Sequence, residues 1–160
     1  MNEAEILDYL TTQGIDYEYQ RHPAVLTMDE AERIALPQPE CEARNLFVRA
    51  SRTQRYFLLT AHARVDLNAF SRQQGLRSLS FASADERREI LWLETGAVTP
   101  LALLNAPDVT LYLDEALLGS RIAVHPNTNT ATVWLQTADL VRLLHARGVP
   151  VTVVPFPCLS

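Results

Sequence analysis

Residues 121–135, RIAVHPNTNTATVWL, contain two short apolar runs separated by a polar turn, which restricts this segment to a β-hairpin. The run 122–124 is typical of a buried strand, and 130–135 is rich in β-branched and aromatic residues, as a half-buried strand is. Pro126 fixes the backbone directly after His125, and Asn127 suits a positive φ or an Asx turn. The turn should therefore hold His125 in one direction. A well-formed turn with no further role explains the same residues equally well.

Length and composition predict a single domain that spans residues 1–160. A chain of 160 residues with 48% hydrophobic content can bury one sizeable core. The first residues include Glu3, Glu5 and Asp8 and lack the basic and apolar regions of a secretory signal. We therefore expect a cytoplasmic protein without a membrane span. Cys41 and Cys158 form no CxxC motif, which predicts two free thiols.

The basic residues are all arginines, 14 in number, so chemistry that requires a lysine is excluded. The net charge of −5 argues against binding of nucleic acid by the whole surface. However, the range 43–64 has no acidic side chain and carries five arginines, namely Arg44, Arg49, Arg52, Arg55 and Arg64. The planar guanidinium suits phosphate oxygens, so this range could contact an RNA backbone. An ordinary solvated hairpin is the alternative.

Helix and strand signals alternate along the chain, which predicts an α/β (α+β) fold. Capping patterns predict helices that begin after Asn2, Thr27, Asp66 and Ser83, and a last helix capped by Thr137. Apolar stretches between them predict strands at 16–21, 43–50, 54–60, 79–81, 109–113 and 151–154, and a short helical turn at 114–118. No internal repeat or linker divides the chain.

The ranges 43–50 and 54–60 should pair as a hairpin across 51–53 and form the centre of the sheet. Side chains alternate along a strand, so Arg44 shares a face with Leu46 and Val48. Asn45 lies on the other face, with Phe47. We expect Arg44 at the mouth of a pocket.

Common catalytic motifs are absent from the sequence, which has no GxSxG elbow, P-loop, GxGxxG or HExxH. The four histidines, at 22, 62, 125 and 145, are too far apart in sequence to indicate a metal site, although folding can gather distant residues. His22 and His145 are expected at the surface or at a helix end. The remaining candidates are Arg44, Asn45, the loop 96–100 and His125.

Four motifs in one order carry a resemblance to a known family: RNLF at 44–47, SFAS at 80–83, GAVTP at 96–100 and HPNTNT at 125–130. Together they resemble the YbaK / prolyl-tRNA synthetase-associated editing domain family over almost the whole chain. The chain is most similar to the free-standing deacylases that remove alanine from mischarged proline tRNA, alanyl-tRNA(Pro). The fold implied is a mixed, curled, barrel-like β-sheet with helices packed outside.

The resemblance also implies which residues act. Asn45 corresponds to the asparagine of the family's Lys-Asn pair, Gly96 and Pro100 to its GxxxP loop, and His125 to its HP histidine. Arg44 stands where the family has a lysine, which keeps the positive charge but loses the compact ammonium. The catalytic residues implied are Arg44, Asn45, Gly96 and His125, and the substrate-binding residues are Val98, Thr99, Pro100 and Asn127. No metal and no cofactor are expected.

The activity implied is hydrolysis of the ester between an amino acid and the terminal ribose of tRNA. This ester is activated, so the site has to position water and stabilise charge on the carbonyl oxygen. The ribose 2′-hydroxyl assists, amides of the loop 96–100 serve as oxyanion donors, and His125 orients the amino acid or the water. The partners implied are the 3′ end of aminoacylated tRNA and prolyl-tRNA synthetase, and neither DNA nor a membrane.

Two alternatives come from other functional classes. In the first, the protein binds aminoacyl-tRNA or a synthetase without hydrolysis, since Arg44 replaces the family's lysine. In the second, the fold binds an unrelated small metabolite, which agrees with the acidic net charge. Salt-dependent binding of tRNA would argue against the second alternative, because phosphate contacts weaken as salt rises.

Overall fold

The computed structural model describes residues 1–24, 37–93 and 98–159, and within them the predicted alternation of helices and strands is confirmed. The helices are α1 (Glu3–Thr12), α2 (Leu67–Gln73), α3 (Ala84–Glu86), which continues as a π-helical turn (Arg87–Leu91), and α4 (Thr137–Ala146). Short 3-10 helices span Pro39–Cys41, Pro100–Leu104 and Glu115–Leu117. The helix predicted after Thr27 lies outside the described residues.

The described strands are β1 (Tyr17–Arg21), β2 (Arg44–Ala50), β3 (Tyr56–Ala61), β4 (Leu79–Phe81), β5 (Thr110–Asp114), β6 (Arg121–Val124), β7 (Ala131–Gln136) and β8 (Val151–Val154). Both predicted hairpins are confirmed, since β2 pairs with β3 and β6 with β7, each antiparallel. Within these ranges no helix is long and apolar enough to cross a membrane.

Helix starts follow the capping signals of the sequence. Asn2 and Glu5 form a reciprocal capping box at α1, because each side chain accepts a hydrogen bond from the other residue's backbone N–H. Ser83 and Glu86 form the same arrangement at α3. Asp66 caps α2 with its carboxylate. These caps satisfy backbone donors that the first turn of a helix leaves without partners.

The prediction that Thr137 caps the last helix is wrong. The N-cap of α4 is Gln136, whose side chain makes no capping hydrogen bond. Because β7 ends at Gln136 and α4 begins at the next residue, no turn separates the two elements, and Thr137 becomes the first helical residue. Its backbone N–H donates to the carbonyl oxygen of Ser120 at 3.0 Å, which links this junction to the start of β6.

The strands form two sheets. One has three antiparallel strands in the order β1-β7-β6, and the other has five strands in the order β4-β2-β3-β5-β8. In the larger sheet β2 pairs antiparallel with β3 and β4, whereas β3, β5 and β8 run parallel. The predicted mixed sheet and the central place of the β2–β3 hairpin are confirmed. The described strands do not close into a barrel.

The core occupies both faces of the five-stranded sheet. We call the inner face the one with Phe47, Leu58, Leu111 and Leu113, which packs against the three-stranded sheet, α1 and α4. The outer face carries Val48, Phe57, Leu59 and Tyr112, and these residues pack against Phe70 of α2. Each fully buried side chain of this size stabilises the fold by about 1.5–3 kcal/mol. The central sheet is therefore covered by apolar packing on both sides.

Candidate functional site

His125 follows directly after β6 and begins the turn that leads to β7. Its Nδ1 lies 2.9 Å from the carbonyl oxygen of Ala131. A carbonyl oxygen only accepts, so Nδ1 carries the hydrogen in the neutral ring and Nε2 keeps a free lone pair. Burial lowers the pKa of His125 from its ordinary 6.5; the Ala131 bond acts in the opposite sense, and His22 adds to the lowering. The imidazole is therefore neutral at physiological pH, with Nε2 as an acceptor.

A second imidazole lies beside His125. The ring centroids of His22 and His125 are 6.1 Å apart at an interplanar angle of 62°. His22 Nδ1 is 2.8 Å from the carbonyl oxygen of Pro23, and Nε2 is 2.8 Å from Thr132 Oγ1. Because a carbonyl oxygen only accepts, His22 Nδ1 carries a hydrogen. Sequence reasoning missed this residue, because only the pairing of β1 with β7 brings it here.

The loop before the second 3-10 helix contacts the same turn. The fully buried Thr99 donates its hydroxyl hydrogen to the backbone carbonyl oxygen of His125 at 2.7 Å. Pro100 begins the 3-10 helix and is buried, and Val98 packs against the inner-face core. Two predicted motifs far apart in sequence thus meet directly. Gly96 lies outside the described residues.

Asn127 ties the turn to the start of the chain. Its backbone adopts the left-handed region with φ of 57°, as the sequence predicted for this position. The side-chain nitrogen donates to the carbonyl oxygen of Met1 at 2.8 Å. The side-chain oxygen Oδ1 is buried and has no hydrogen-bond partner in the part of the chain that the structure describes. A buried acceptor without a partner is unfavourable, so a ligand N–H that reached it would remove that cost.

Arg44 and Asn45 begin β2 and point to opposite faces of the sheet, as strand alternation requires. Asn45 lies on the inner face, where its Oδ1 accepts a hydrogen bond from the buried Thr60 at 2.7 Å. Arg44 lies opposite Ala61 on the outer face and is half-buried. No hydrogen bond or ion pair among the described residues joins Arg44 or Asn45 to the His125 turn. Their place in one pocket with His125 stays a prediction.

A cavity of about 350 Å³ lies where β3 and β5 begin, lined by Gln54, Arg55, Tyr56, Phe57, Ile90, Asp108, Val109 and Thr110. None of the residues predicted for the site lines it, and it is at the opposite end of β3 from Thr60. We assign it no role in the chemistry. At the opposite end of the same sheet from this cavity, folding brings together three side chains of types that can bind a metal, namely His62, Asp114 and Cys158.

Comparison with known proteins places these elements in a family. The aminoacyl-tRNA editing domain matches residues 22–143. The "Prolyl-tRNA editing protein ProX" of Acetoanaerobium sticklandii is 36% identical over 139 residues, covering 84% of this chain and 85% of that protein. The "Prolyl-tRNA synthetase associated domain-containing protein 1" of Mus musculus is 32% identical over 153 residues, covering 91% of this chain and 90% of that protein.

A solved structure supports the same fold. It is described as a candidate trans-editing enzyme for prolyl tRNA synthetase, and it matches with a TM-score of 0.73 at 23% identity over 98% of both chains. At this identity the match shows the fold alone. The domain match contains the β2 start, the Thr99 loop and the His125 turn, and with the two relatives it shows that this chain belongs to the aminoacyl-tRNA editing domain family.

Proposed function

We propose that the protein is a trans-editing hydrolase that releases the amino acid from mischarged tRNA, with alanyl-tRNA(Pro) as its substrate. The main supporting observation is the hydrogen bond between Thr99 and His125, which joins two separate motifs at a neutral imidazole. The name of the Acetoanaerobium sticklandii relative, a prolyl-tRNA editing protein, agrees with this proposal.

The reaction is attack of water on the carbonyl carbon of the aminoacyl ester, which releases a free amino acid and a tRNA with its terminal hydroxyl restored. His125 Nε2 accepts a hydrogen bond from the attacking water or from the substrate amino group. Both roles require the neutral ring, which the lowered pKa of His125 favours. Backbone amides of the loop 96–100 donate to the carbonyl oxygen as it gains negative charge. The adjacent ribose 2′-hydroxyl assists the attack.

The substrate amino group has a second acceptor in this proposal. Asn127 Oδ1 is buried and lacks a partner among the described residues, in the same turn as His125. A substrate ammonium that reached this oxygen would form a charge-assisted hydrogen bond, which is stronger than a neutral one. We therefore assign Asn127 to substrate binding, together with Val98, Thr99 and Pro100. We assign catalysis to Arg44, Asn45, Gly96 and His125.

Editing of this kind addresses a physical limit on amino acid selection. A synthetase pocket rejects a smaller amino acid by only about 1–3 kcal/mol for each missing methylene, so a second site is needed to hydrolyse the errors. Alanine is smaller than proline, and a site that accepts alanine but is too small for proline would spare the correct product.

A non-catalytic role is the second candidate function. In it the protein binds aminoacyl-tRNA or prolyl-tRNA synthetase without turnover. One observation favours it: Arg44 occupies the position of the family's lysine. Hydrolysis by substoichiometric protein distinguishes the two functions.

The test is a panel of mischarged tRNAs incubated with the protein far below the tRNA concentration, followed by measurement of free amino acid. We expect multiple turnovers on alanyl-tRNA(Pro) and a large loss in His125→Ala. His145→Ala is the matched control, because His145 is an exposed histidine at the end of α4. Binding of tRNA without release would support the non-catalytic role instead.

No metal takes part in the proposed reaction, so chelation should leave the rate of deacylation unchanged. Loss of activity that zinc restores would contradict this metal-free reaction.

A further inference from the structure

A group of three side chains lies at the carboxyl ends of parallel strands β3 and β5. We call it the edge cluster, and it consists of His62, Asp114 and Cys158. One ligand atom from each residue lies within 4.8 Å of the other two. His62 directly follows β3, and Asp114 is the last residue of β5. The proposed editing reaction uses none of them.

Asp114 is fixed in place by the surrounding backbone. Its side chain is 2% exposed. Oδ1 accepts from the backbone N–H of Ala116 at 3.1 Å, and Oδ2 accepts from the backbone N–H of His62 at 3.2 Å. Oδ2 also contacts Nδ1 of the His62 ring. The His62 side chain is 46% exposed, so solvent reaches the cluster from its side. The carboxylate is therefore rigid, while the imidazole has room to adjust.

The third residue is held by the chain end. Cys158 forms an isolated antiparallel bridge with Val65. On either side of it, the N–H of Asp66 donates to Pro157 at 2.8 Å and the N–H of Leu159 donates to Arg64 at 2.8 Å. Cys158 is a free, partly exposed thiol. Backbone pairing thus brings Sγ to the cluster in a defined position.

We propose that the edge cluster binds a divalent transition metal of the zinc class. Imidazole nitrogen, carboxylate oxygen and thiolate sulfur are the donors that zinc uses. A carboxylate and a thiolate at this distance repel each other, and a dication between them removes the repulsion. Three protein ligands leave one tetrahedral position for water. The His62 nitrogen and the Asp114 oxygen now contact each other directly, so the imidazole must turn away from the carboxylate to admit a metal between them, and its exposure leaves room for that movement.

The arrangement favours a metal over a nucleophilic cysteine. A catalytic thiol needs an electropositive setting that favours the thiolate, as a protonated histidine or a helix N-terminus provides. Here Cys158 lies beside the Asp114 carboxylate, and the His62 nitrogen that faces this carboxylate is already engaged. A bound metal would connect the chain end to the five-stranded sheet, and its binding free energy would add to the stability of the fold.

The test is titration of metal-free protein with Co²⁺, with Zn²⁺ used to displace it. We expect one equivalent of Co²⁺ with a thiolate-to-cobalt charge-transfer absorption. Cys158→Ser should abolish that absorption and His62→Ala should weaken binding. In His62→Ala the metal affinity should fall by at least roughly 10–100-fold, which is the loss that follows removal of a residue that only supports a metal ligand. Cys41→Ser is the matched control, because Cys41 is a buried thiol beside Trp134 and outside the edge cluster.

Thermal unfolding gives a second readout. Zn²⁺ at about a hundredfold excess over its Kd should raise the Tm of the wild type and of Cys41→Ser by roughly 5–10 °C. It should leave the Tm of Cys158→Ser and His62→Ala almost unchanged. Absence of the charge-transfer absorption in the wild type would overturn the proposal. So would equal metal affinity in the wild type and in His62→Ala, which replaces a side chain that is 46% exposed.

Discussion

At the residue scale, the sequence pointed to candidate site residues but not to all of their neighbours. His125, Thr99 and Asn127 were predicted from motif and turn composition, and the structure brings Thr99 against the His125 backbone. His22 was expected at the surface, yet its ring lies 6.1 Å from that of His125. This contact depends on strand pairing between distant parts of the chain, and no local pattern encodes it.

Arg44 is the position where the chain departs from the family's lysine. If Arg44 supplies only a positive charge to the 3′ end of the tRNA, Arg44→Lys should retain most deacylation. Arg44→Ala should lose about 10–100-fold in rate, the usual effect of removing one charged contact. If the arginine instead fills space, the lysine variant should hydrolyse larger amino acids faster than the wild type. Rates on alanyl and seryl esters of one tRNA check this, and equal rates in all three proteins would exclude Arg44 from the site.

The pH dependence of stability should reveal the buried His125. Its pKa in the folded protein lies below the ordinary 6.5, so between the two values the unfolded chain binds more protons than the native state. The stability that comes from the neutral ring should therefore be complete above about pH 6.5 and decline as the pH falls toward the lowered pKa. Urea unfolding of the wild type and His125→Gln from neutral to acidic pH measures it. If the free energy of unfolding fell equally steeply with acidification in both proteins, the lowered pKa of His125 would be contradicted.

At the element scale, caps and hairpins were predictable because their signals are local. The capping boxes at Asn2 and Ser83 and the cap at Asp66 are confirmed. Thr137 has the residue type of a cap, but β7 runs into α4 without a turn, so Gln136 takes that position. Where one element passes directly into the next, tertiary pairing rather than residue type decides the boundary.

Glu86 should make an acid-sensitive contribution at α3. The backbone N–H of Ser83, and then the Tyr56 hydroxyl, lower its pKa from 4.5 to about 2. Because the folded pKa is depressed, this stabilisation is present above pH 4.5 and is lost as the pH falls toward 2. Glu86→Gln should cost about 1 kcal/mol near neutral pH, a value at the modest end because the side chain is partly exposed. Denaturant unfolding at neutral and acidic pH measures the loss.

The control for Glu86 is Glu89→Gln, an exposed carboxylate in the π-helical turn that follows. It should change stability by less than about 0.5 kcal/mol. A loss in Glu86→Gln that persists unchanged at pH 2 would show that charge at this position does not contribute.

At the scale of the whole molecule, the class of fold was predictable and the strand order was not. Alternating helix and strand signals indicated a mixed sheet, and the central β2–β3 hairpin is confirmed. The resemblance implied one curled sheet, whereas the described strands form two sheets with a shared core. The edge cluster arises only because parallel pairing sets the ends of β3 and β5 side by side. Such long-range order leaves no periodic signal in the sequence.

The outer-face core should be necessary for the whole fold. Phe70 is fully buried, with its ring centroid 5.2 Å from that of Tyr112 and 4.9 Å from that of Phe156. Phe70→Ala should lower the free energy of unfolding by about 3–5 kcal/mol, because it removes buried apolar surface and leaves a cavity. Phe81→Ala is the control, since that ring is 64% exposed, and it should cost less than about 0.5 kcal/mol. Equal losses in denaturant unfolding would contradict the assigned core.

Release of free amino acid from alanyl-tRNA(Pro) and from prolyl-tRNA(Pro), measured side by side with the protein far below the tRNA concentration, tests most directly whether this chain edits mischarged tRNA. We expect many molecules of alanine released per molecule of protein, and proline released no faster than without protein. Equal release of both amino acids would contradict selective editing. Failure to release more alanine than the amount of protein present would contradict catalysis.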